Sequence, residues 1–437
     1  MMKFKFSFIF ILLITMLLSA CGGGNETGGG GGSIDKEGNI TLEFWYALGG
    51  DSGEAVKELV ARFNESQTGI TVIGTYQGDY TTAMAKVYSA ITGDTVPNVA
   101  QLGGAPLLGT SGAILSMEEI MSADESFDPA VIRTAFWDYN TAGGEIWSMP
   151  FNNSVPILYY NKDLFSAAGV DPNSPPQNLD ELLTIAQALT ISSEASGGTT
   201  QWGLNTRPDT HWYLSTLILE NGGQIVNEDE TEMLYNSPEA VEMLQLWSDW
   251  VNTYKVMPIN QHEESLTDFL AGKLGMLIGS TSMARSIKEQ ATFDVGAIMF
   301  PAVGDERQVP LGGGSLVIFK NGDQRLVDAS WEFVKFMVSR DSSIFLTSQT
   351  GYIPIYADAM DWDEVAGLVA ENPLRQAGFD SLPNTVSIPV FSALGNSDLA
   401  LQKAVEQVEL GAATPQEALD AAKTSADHAI ETQFSTE

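Results

Sequence analysis

Short apolar strands alternate with amphipathic helices over residues 39–104. The segment NITLEFWYALGG is typical of a strand that ends in a glycine turn, and DSGEAVKELVARFNES places apolar residues at helical spacing directly after it. A second strand (GITVIGTY), a second helix (DYTTAMAKVYSAITG) and a third strand (VPNVAQLGG) repeat the pattern. Neighbouring parallel strands need a crossover connection, usually a helix. The alternation therefore predicts an α/β fold with a mainly parallel sheet and helices on its faces.

Further helices and strands follow to the end of the chain without an internal repeat. The helix NLDELLTIAQALT has Asn178 at its expected N-cap and Glu181 three residues later, a capping-box arrangement. Asp51 or Ser52 is expected to cap the first helix. The chain has 437 residues, 44% of them hydrophobic, so two or more domains are expected.

The N-terminal segment differs from the rest of the chain. Lys3 and Lys5 precede the apolar run FSFIFILLITMLL, which fits a signal peptide and is shorter than the roughly 20 residues of a spanning helix. The run ends in LSAC, which resembles a bacterial lipobox, with Cys21 as the lipidated residue. Cleavage after Ala20 without lipidation is the alternative. Cys21 is the only cysteine, so no internal disulfide is expected.

These features define the expected export and anchoring of the protein. Residues 1–20 are predicted to be a lipoprotein signal peptide, and residues 21–35 the lipidated cysteine and a Gly-rich tether. The protein is then exported and lipid-anchored to the cell membrane, on the outer face of the cytoplasmic membrane or on the periplasmic side. No later apolar run reaches spanning length, so the remainder is expected to be water-soluble.

The charge balance excludes one class of partner. The formal net charge is −35, and removal of residues 1–20, which hold Lys3 and Lys5, would leave −37. Such a chain repels nucleic acid, so neither DNA nor RNA is expected as a partner. The charge also disfavours a polyanionic ligand, although a local basic pocket could override it.

Catalytic motifs are missing from the sequence. The histidines are His211, His262 and His428, and there is no HExxH or GxSxG motif and no Cys/His cluster for a metal. A secreted glycosidase would need two carboxylates about 5–10 Å apart across a cleft, and no candidate at a strand end forms such a pair. We therefore expect neither an enzyme nor a cofactor or metal.

Several stretches together resemble a known family. They are the lipobox, EFWYALGGDSGEAVKELVARFNES, TYQGDYTTAM, MPFNNSVPILYYNKDLFSAAGVDPNSPPQNLDELL, FLAGKLGMLIGSTS, PLGGGSLVIF and TGYIPI. LYYNKDLF followed by PPQNLDEL is the specific signature. The chain resembles the extracellular solute-binding proteins of family 1, the sugar-binding lipoproteins of ABC transporters, and above all their glycerol-3-phosphate-binding-protein-like branch. The resemblance covers nearly all of residues 40–430.

The resemblance implies a fold and a function. It implies a type II periplasmic-binding-protein-like fold with two hinge-linked α/β lobes and a ligand cleft between them. Lobe 1 is expected to comprise residues 36–150 plus 281–325, and lobe 2 residues 151–280 plus 326–437. Closure on a carbohydrate would let the protein, a monomer, dock on the permease subunits of an ABC importer. The alternatives are a glycerol-3-phosphate or glycerophosphodiester ligand, a lipid-anchored sugar sensor or adhesin, and a secreted glycosidase.

A sugar ligand needs aromatic faces for its C–H patches and short polar groups for its hydroxyls. Strand ends and glycines supply some candidates, and the resemblance implies cleft positions for Tyr80, Ser154, Trp212 and Tyr352. The whole candidate set is Trp45, Tyr46, Asp51, Tyr80, Gln101, Gly104, Asn153, Ser154, Trp212, Ser280, Ser282, Gly313, Gly314 and Tyr352.

Some candidates have structural alternatives. Trp45 could pack in the core, Asp51 could be a helix cap, and Ser154 could lie in an ordinary turn before a strand. Phosphate-binding relatives have a glutamate where Gly104 aligns and an arginine near the position of Ala393. Because phosphate recognition favours such a bidentate donor, the absence of both residues favours an uncharged sugar.

Overall fold

The structure is a computed structural model that describes residues 31–109, 111–193, 198–227, 231–304, 307–320, 322–388 and 394–434. The predicted signal peptide, Cys21 and Ala393 lie outside these residues. The strands in chain order are β1 (Ser33–Ile34), β2 (Ile40–Tyr46), β3 (Ile70–Tyr76), β4 (Val99–Leu102), β5 (Thr141–Ala142), β6 (Glu145–Ile146), β7 (Met149–Ser154), β8 (Pro156–Asn161), β9 (Ile191–Ser193), β10 (Gly198–Thr206), β11 (Leu274–Ser280), β12 (Val295–Met299), β13 (Val309–Pro310), β14 (Gly312–Ile318) and β15 (Thr385–Val386).

The α-helices are α1 (Gly50–Ser66), α2 (Tyr80–Gly93), α3 (Met117–Ala123), α4 (Thr134–Tyr139), α5 (Lys162–Ala167), α6 (Leu179–Leu189), α7 (Thr210–Glu220), α8 (Pro238–Ser248), α9 (Ser265–Leu270), α10 (Ala284–Gln290), α11 (Gln324–Met337), α12 (Arg340–Gln349), α13 (Asp363–Glu371), α14 (Gln376–Ser381), α15 (Leu394–Glu409) and α16 (Pro415–Phe434). Within the described residues, no helix is long and apolar enough to cross a membrane.

The first sheet has the strand order β1-β2-β4-β14-β7, with β3 paired to the other edge of β2. The predicted parallel arrangement holds for β2, β3 and β4, whereas β14 runs antiparallel to β4 and to β7. The sheet is therefore mixed. The late strand β14 enters from the second lobe and needs no crossover helix, so local alternation could not predict its direction.

The second sheet has the order β12-β8-β11-β10-β9. Its strand β8 is antiparallel to β11 and β12, and β10 is parallel to β11. The predicted cap of α6 is confirmed, because the side chain of Asn178 accepts a hydrogen bond from the backbone N–H of Glu181 at 2.9 Å. The Glu181 carboxylate completes the turn by accepting from the N–H of Gln177 at 2.8 Å.

The chain passes between the sheets at Val155, the residue between β7 and β8. The backbone N–H of Val155 donates to Thr281 Oγ1 at 3.3 Å, and the N–H of Thr281 donates to the Val155 carbonyl at 3.0 Å. A buried apolar cluster continues across this junction, from Phe44 in the first sheet to Tyr159 in the second. The sheets are thus joined by ordered backbone.

The predicted lobe boundaries need correction. We expected residues 281–325 in lobe 1, but β12 pairs with β8 in the second sheet. The chain returns to the first sheet only after Met299. We also expected 326–437 in lobe 2, whereas α11 packs on β2 and α1 of the first lobe. A strand pattern does not specify which sheet edge the strand will join, so local sequence could not assign these segments.

The predicted tether also needs correction at its end. Residues 21–35 were expected to be flexible, but Ser33 and Ile34 form β1 and pair with Thr41 and Ile40. Residues 21–30 lie outside the described part of the chain. The ordered first lobe therefore begins at or before Ser33.

Candidate functional site

The polar strand ends of the two sheets face each other. In the first sheet, β2, β4 and β7 end, and β14 begins, at one edge. In the second sheet, β8 begins and β11 ends at one edge. Because Val155 joins the end of β7 directly to the start of β8, these two edges meet. The cleft between the edges is the candidate site, as expected for open α/β sheets.

A buried amide pair forms the wall of the cleft on the first lobe. Gln101 and Asn152 are fully buried, and Gln101 Nε2 donates to Asn152 Oδ1 at 2.9 Å. Asn152 Nδ2 donates to the Tyr80 hydroxyl at 2.9 Å. The other amide atom of Gln101, Oε1, accepts from the backbone N–H of Ala47 at 2.9 Å. This network holds the Tyr80 hydroxyl in one position at the edge of the sheet.

Tyr352 extends the same wall. Burial raises the pKa of its phenol, and the nearby side chains of Asn152, Ser52 and Ser282 oppose this effect. Burial also raises the pKa of Tyr80 well above its ordinary value, with Tyr352 adding to the effect. Both phenols therefore stay protonated at neutral pH and can donate hydrogen bonds to a neutral ligand.

Three glycines allow neighbouring groups to approach the backbone of the wall closely. Gly312, Gly313 and Gly314 pair with Ser154, Asn153 and Asn152 on β7. A Cβ on Gly314 would lie 2.3 Å from Gln101 Nε2. Gly313 has a φ of +108°, and a Cβ there would lie 1.9 Å from the Asn152 carbonyl oxygen. Only glycine fits at these positions.

Trp212 approaches the glycine strand from the second lobe. A Cβ built on Gly312 would lie 2.6 Å from Cζ2 of its indole ring. From the first lobe, the Tyr139 hydroxyl donates to the Gly313 carbonyl at 3.2 Å. Aromatic groups from both lobes therefore flank the same strand.

Several buried polar atoms in this region have no hydrogen-bond partner among the described residues. They are both side-chain amide atoms of Asn153, the indole nitrogen of Trp212 and Nδ1 of His211. A buried polar group left unpaired costs about 1–3 kcal/mol.

A cavity of about 150 Å³ lies at the side of the cleft near the start of α1. It is lined by Asp51, Ser52, Ser282 and Arg285, among others. Asp51 does not cap α1, because the N-cap is Gly49 and no side chain bonds there. The capping alternative for Asp51 is therefore wrong. Ser280 lies next to this cavity and accepts from the Ser282 hydroxyl at 2.9 Å.

Other candidates have structural roles. Tyr46 is 2% exposed and packs in the core with Phe44 and Tyr76. Trp45 is half-buried against the apolar cluster beneath α2. Gly104 has a φ of +64° in a turn, and this left-handed backbone conformation accounts for the glycine at this position. Tyr46 is the strand neighbour of Gln101 in the wall, but its side chain is buried in the core.

Ser154 is 4% exposed and lies opposite Gly312, directly before the passage to the second sheet. Ser154 is the last paired residue of β7 and lies at the cleft edge, so the alternative that it lies in an ordinary turn is wrong. Gly312 also contacts Trp212, so Ser154, Gly312 and Trp212 form one part of the cleft.

Sequence reasoning missed Tyr139 and Asp398. Tyr139 ends a short helix that gave no strand-end signal, and Asp398 lies near the start of α15. Asp398 Oδ2 is 3.8 Å from Nε2 of His211. Burial raises the pKa of Asp398, with Asp209 adding to the effect and His211 opposing it. No local motif could have indicated either residue, because each joins the site only through folding.

Another cavity, of about 440 Å³, opens beside Tyr139. It is lined by the β5–β6 hairpin of the first lobe and by Thr385, Val386 and Ser387 of β15 and its end. Among the described residues, no group of three or more His, Cys, Asp or Glu side chains could hold a metal ion. Hydroxyls, amides and aromatic rings thus supply most of the chemistry of the cleft.

The fold and this cleft define a two-lobe binding protein with solute-sized space between facing sheet edges. One family model, described as bacterial extracellular solute-binding protein, matches residues 58–377. The chain belongs to this family of bacterial extracellular solute-binding proteins. The family resemblance inferred from the sequence is thereby confirmed.

Particular relatives agree with this assignment. The sn-glycerol-3-phosphate-binding periplasmic protein UgpB of Pectobacterium atrosepticum is 26% identical over 397 residues, covering 87% of this chain and 89% of the relative. The structure of UgpB from Mycobacterium tuberculosis in complex with glycerophosphocholine has a TM-score of 0.79 at 22% identity, covering 90% of this chain and 99% of that one.

A Listeria monocytogenes ABC substrate-binding protein in complex with cycloalternan has a similar structure. Its TM-score is 0.78 at 22% identity, covering 90% of this chain and 99% of that one. These structural likenesses confirm the predicted two-lobe, periplasmic-binding-protein-like α/β fold.

Proposed function

We propose that the protein is the substrate-binding component of an ABC importer and captures a mono- or oligosaccharide in the cleft between its lobes. The observation that carries the proposal is the cleft wall, where Tyr80 and Tyr352 present neutral hydroxyls beside the aromatic ring of Trp212. Buried polar groups matched to hydroxyls also reject analogues that lack those hydroxyls. The cavity beside Tyr139 leaves space for more than one sugar unit.

Delivery to the membrane follows from the same proposal. Ligand would favour a closed arrangement of the lobes, which the permease subunits would recognise. Lipidation of Cys21 would hold this monomer at the membrane. The L-S-A-C sequence and the Gly-rich stretch after it support the anchor. The proposed role is solute capture without catalysis.

The alternative ligand is glycerol-3-phosphate or a glycerophosphodiester. The names of relatives favour it, since UgpB proteins are described as sn-glycerol-3-phosphate-binding. Arg207 also follows β10 at the cleft edge. The uncharged character of the wall at Tyr80, Gln101 and Asn152 favours the carbohydrate.

The test is a ligand panel on the purified mature protein, read by thermal unfolding and tryptophan fluorescence. A ligand at about 100 times its Kd stabilises the native state by about 2.7 kcal/mol, which raises the Tm by several degrees. We expect one carbohydrate to give this shift and Trp212→Ala to abolish it. Tyr254→Ala, at an exposed aromatic residue of the second lobe, should leave the shift intact.

A panel in which no carbohydrate raises the Tm would contradict the proposal. A shift with glycerol-3-phosphate alone would support the alternative ligand. Release of reducing sugar from a labelled glycan during the assay would instead indicate a glycosidase.

A further inference from the structure

Asp398 reaches the cleft from the second lobe. It lies near the start of α15, and its side chain is 38% exposed, so its burial is partial. Its Oδ2 lies 3.8 Å from Nε2 of His211, the residue before Trp212. The indole of Trp212 in turn lies against Gly312. These contacts place the carboxylate beside the aromatic wall of the cleft.

Tyr139 of the first lobe is affected by the same carboxylate. Its hydroxyl donates to the Gly313 carbonyl at 3.2 Å, so this phenol lies at the glycine strand. Burial raises the pKa of Tyr139, and the nearby carboxylate of Asp398 raises it further. The carboxylate of Asp398 therefore lies 3.8 Å from His211 of one lobe and within electrostatic range of Tyr139 of the other. Asn153, opposite Gly313, is fully buried with both amide atoms unpaired by the described residues.

Among the described residues, neither of the two arginines near the cleft forms an ion pair with Asp398. Arg285 is bonded to Glu289 at 2.7 Å and to Gln349. Arg207 lies beside Gly279, and Asp209 opposes its effect on the neighbouring Tyr213.

We propose that Asp398 is a specificity-determining residue, whose carboxylate accepts hydrogen bonds from hydroxyl groups of an uncharged carbohydrate and repels the phosphate of sn-glycerol-3-phosphate. The inference rests on the proposed function, because it names the class of solute that the same cleft selects. It also distinguishes this chain from relatives whose names state that they bind glycerol-3-phosphate.

Elementary electrostatics sets the size of the effect. Two like unit charges about 5 Å apart at an effective dielectric constant of about 20 weaken binding by roughly a hundredfold. Hydrogen bonds from ligand hydroxyls to a carboxylate are charge-assisted, and the loss of one weakens binding by about tenfold or more. Neutralising Asp398 should therefore change the affinities for the two ligand classes in opposite directions.

The test compares wild type, Asp398→Asn and the matched control Asp328→Asn by isothermal titration at pH 8. Asp328 lies on the exposed side of α11, bonded to Gln324, so its substitution makes the same charge change away from the cleft. The probes are sn-glycerol-3-phosphate and the carbohydrate with the largest Tm shift in the panel. Asp398→Asn should bind glycerol-3-phosphate at least tenfold more tightly than wild type, and the carbohydrate about tenfold more weakly.

Asp328→Asn should match wild type for both probes. Equal or undetectable binding of glycerol-3-phosphate by wild type and Asp398→Asn would overturn the inference. Tight binding of this phosphate by wild type would also overturn it. If the asparagine variant folds poorly, Asp398→Ser removes the same carboxylate, and its binding of the two probes is measured instead. If no carbohydrate binds wild type, the proposed function fails, whereas the glycerol-3-phosphate comparison still reports on Asp398.

Discussion

At the scale of single residues, the shape of the cleft depends on positions without side chains. The strand β14 begins with Gly312, Gly313 and Gly314, and their space is taken by Trp212, by the backbone of Asn152 and by Gln101. The polar wall can come close to the backbone of β14 only because these Cβ atoms are absent. Substitution at any of the three should therefore disturb the polar wall and lower the stability of the protein.

Gly314→Ala tests this directly. The added Cβ would lie 2.3 Å from Gln101 Nε2 and 3.0 Å from the Tyr80 hydroxyl, so the Gln101–Asn152 pair must separate. We expect ligand affinity to fall at least tenfold and the free energy of unfolding to fall by about 1–3 kcal/mol. Calorimetric titration and urea unfolding measure the two effects. Gly322→Ala is the control, since that glycine is exposed and has nothing within 4 Å of its Cβ. Wild-type affinity in Gly314→Ala would contradict this account.

At the scale of elements, one buried carboxylate of α15 forms hydrogen bonds to other segments of the second lobe. Glu409 is fully buried and accepts from the Trp247 indole at 2.6 Å and from the backbone N–H of Asn260 at 2.7 Å. Its Oε1 also lies 2.9 Å from Nε2 of His262, whose Nδ1 is 3.0 Å from the hydroxyl of Thr206. Because Thr206 ends β10 at the cleft, this network connects the helix that carries Asp398 to the cleft edge.

Glu409→Ala should lower the free energy of unfolding by about 3–5 kcal/mol. The substitution leaves the Trp247 indole, the Asn260 N–H and His262 without their acceptor inside the protein. Urea unfolding measures the change. Glu406→Ala is the matched control, because Glu406 is exposed on the same helix. Equal effects of the two substitutions would show that the buried network contributes little.

At the scale of the whole molecule, ordered passages of chain connect the two lobes. One is Val155, and another follows β12 and leads into β13 and β14. Glu220, the last residue of α7, lies against this second passage and is 3% exposed. The side-chain oxygens have no hydrogen-bond partner among the described residues. Burial raises its pKa to about 7, against the opposing effects of Arg307 and of the N–H groups of Val303 and Gln308.

Glu220 should make the stability of the protein depend on pH. Between its ordinary pKa of 4.5 and the folded value of about 7, the native state binds more protons than the unfolded chain. The free energy of unfolding therefore falls as the pH rises through this range. Glu220→Gln should remove the dependence and stabilise the protein at pH 8 by up to about 3 kcal/mol, with little effect near pH 4.5. Urea unfolding at both pH values measures this.

The control for Glu220→Gln is Glu65→Gln, at an exposed carboxylate of α1. It should shift neither the stability nor its pH dependence. A wild-type pH profile in Glu220→Gln would show that this carboxyl group does not titrate as its burial requires.

The sequence by itself determined the local elements. The alternation over 39–104 predicted β2, α1, β3, α2 and β4, and the capping pattern at Asn178 predicted the start of α6. It also determined the family, because LYYNKDLF and the stretches around it are contiguous in the chain. Helix periodicity and caps act over a few residues, so they are readable without the fold. Gln101 and Gly314 were found among the candidates for the same reason, since each lies at or beside the end of a predicted element, whereas Tyr80 came from the family resemblance.

Only the tertiary structure decided how these elements combine. The partners Gln101 and Asn152 are separated by 51 residues, and Asp398 lies 3.8 Å from His211 only because α15 packs on α7. The assignment of β12 to the second sheet depended on pairing with β8, which a strand of 5 residues does not specify by itself. Pairing and packing between distant segments carry no local signal. The sequence could therefore predict a cleft between lobes, whereas the fold was needed to show which side chains face each other across it.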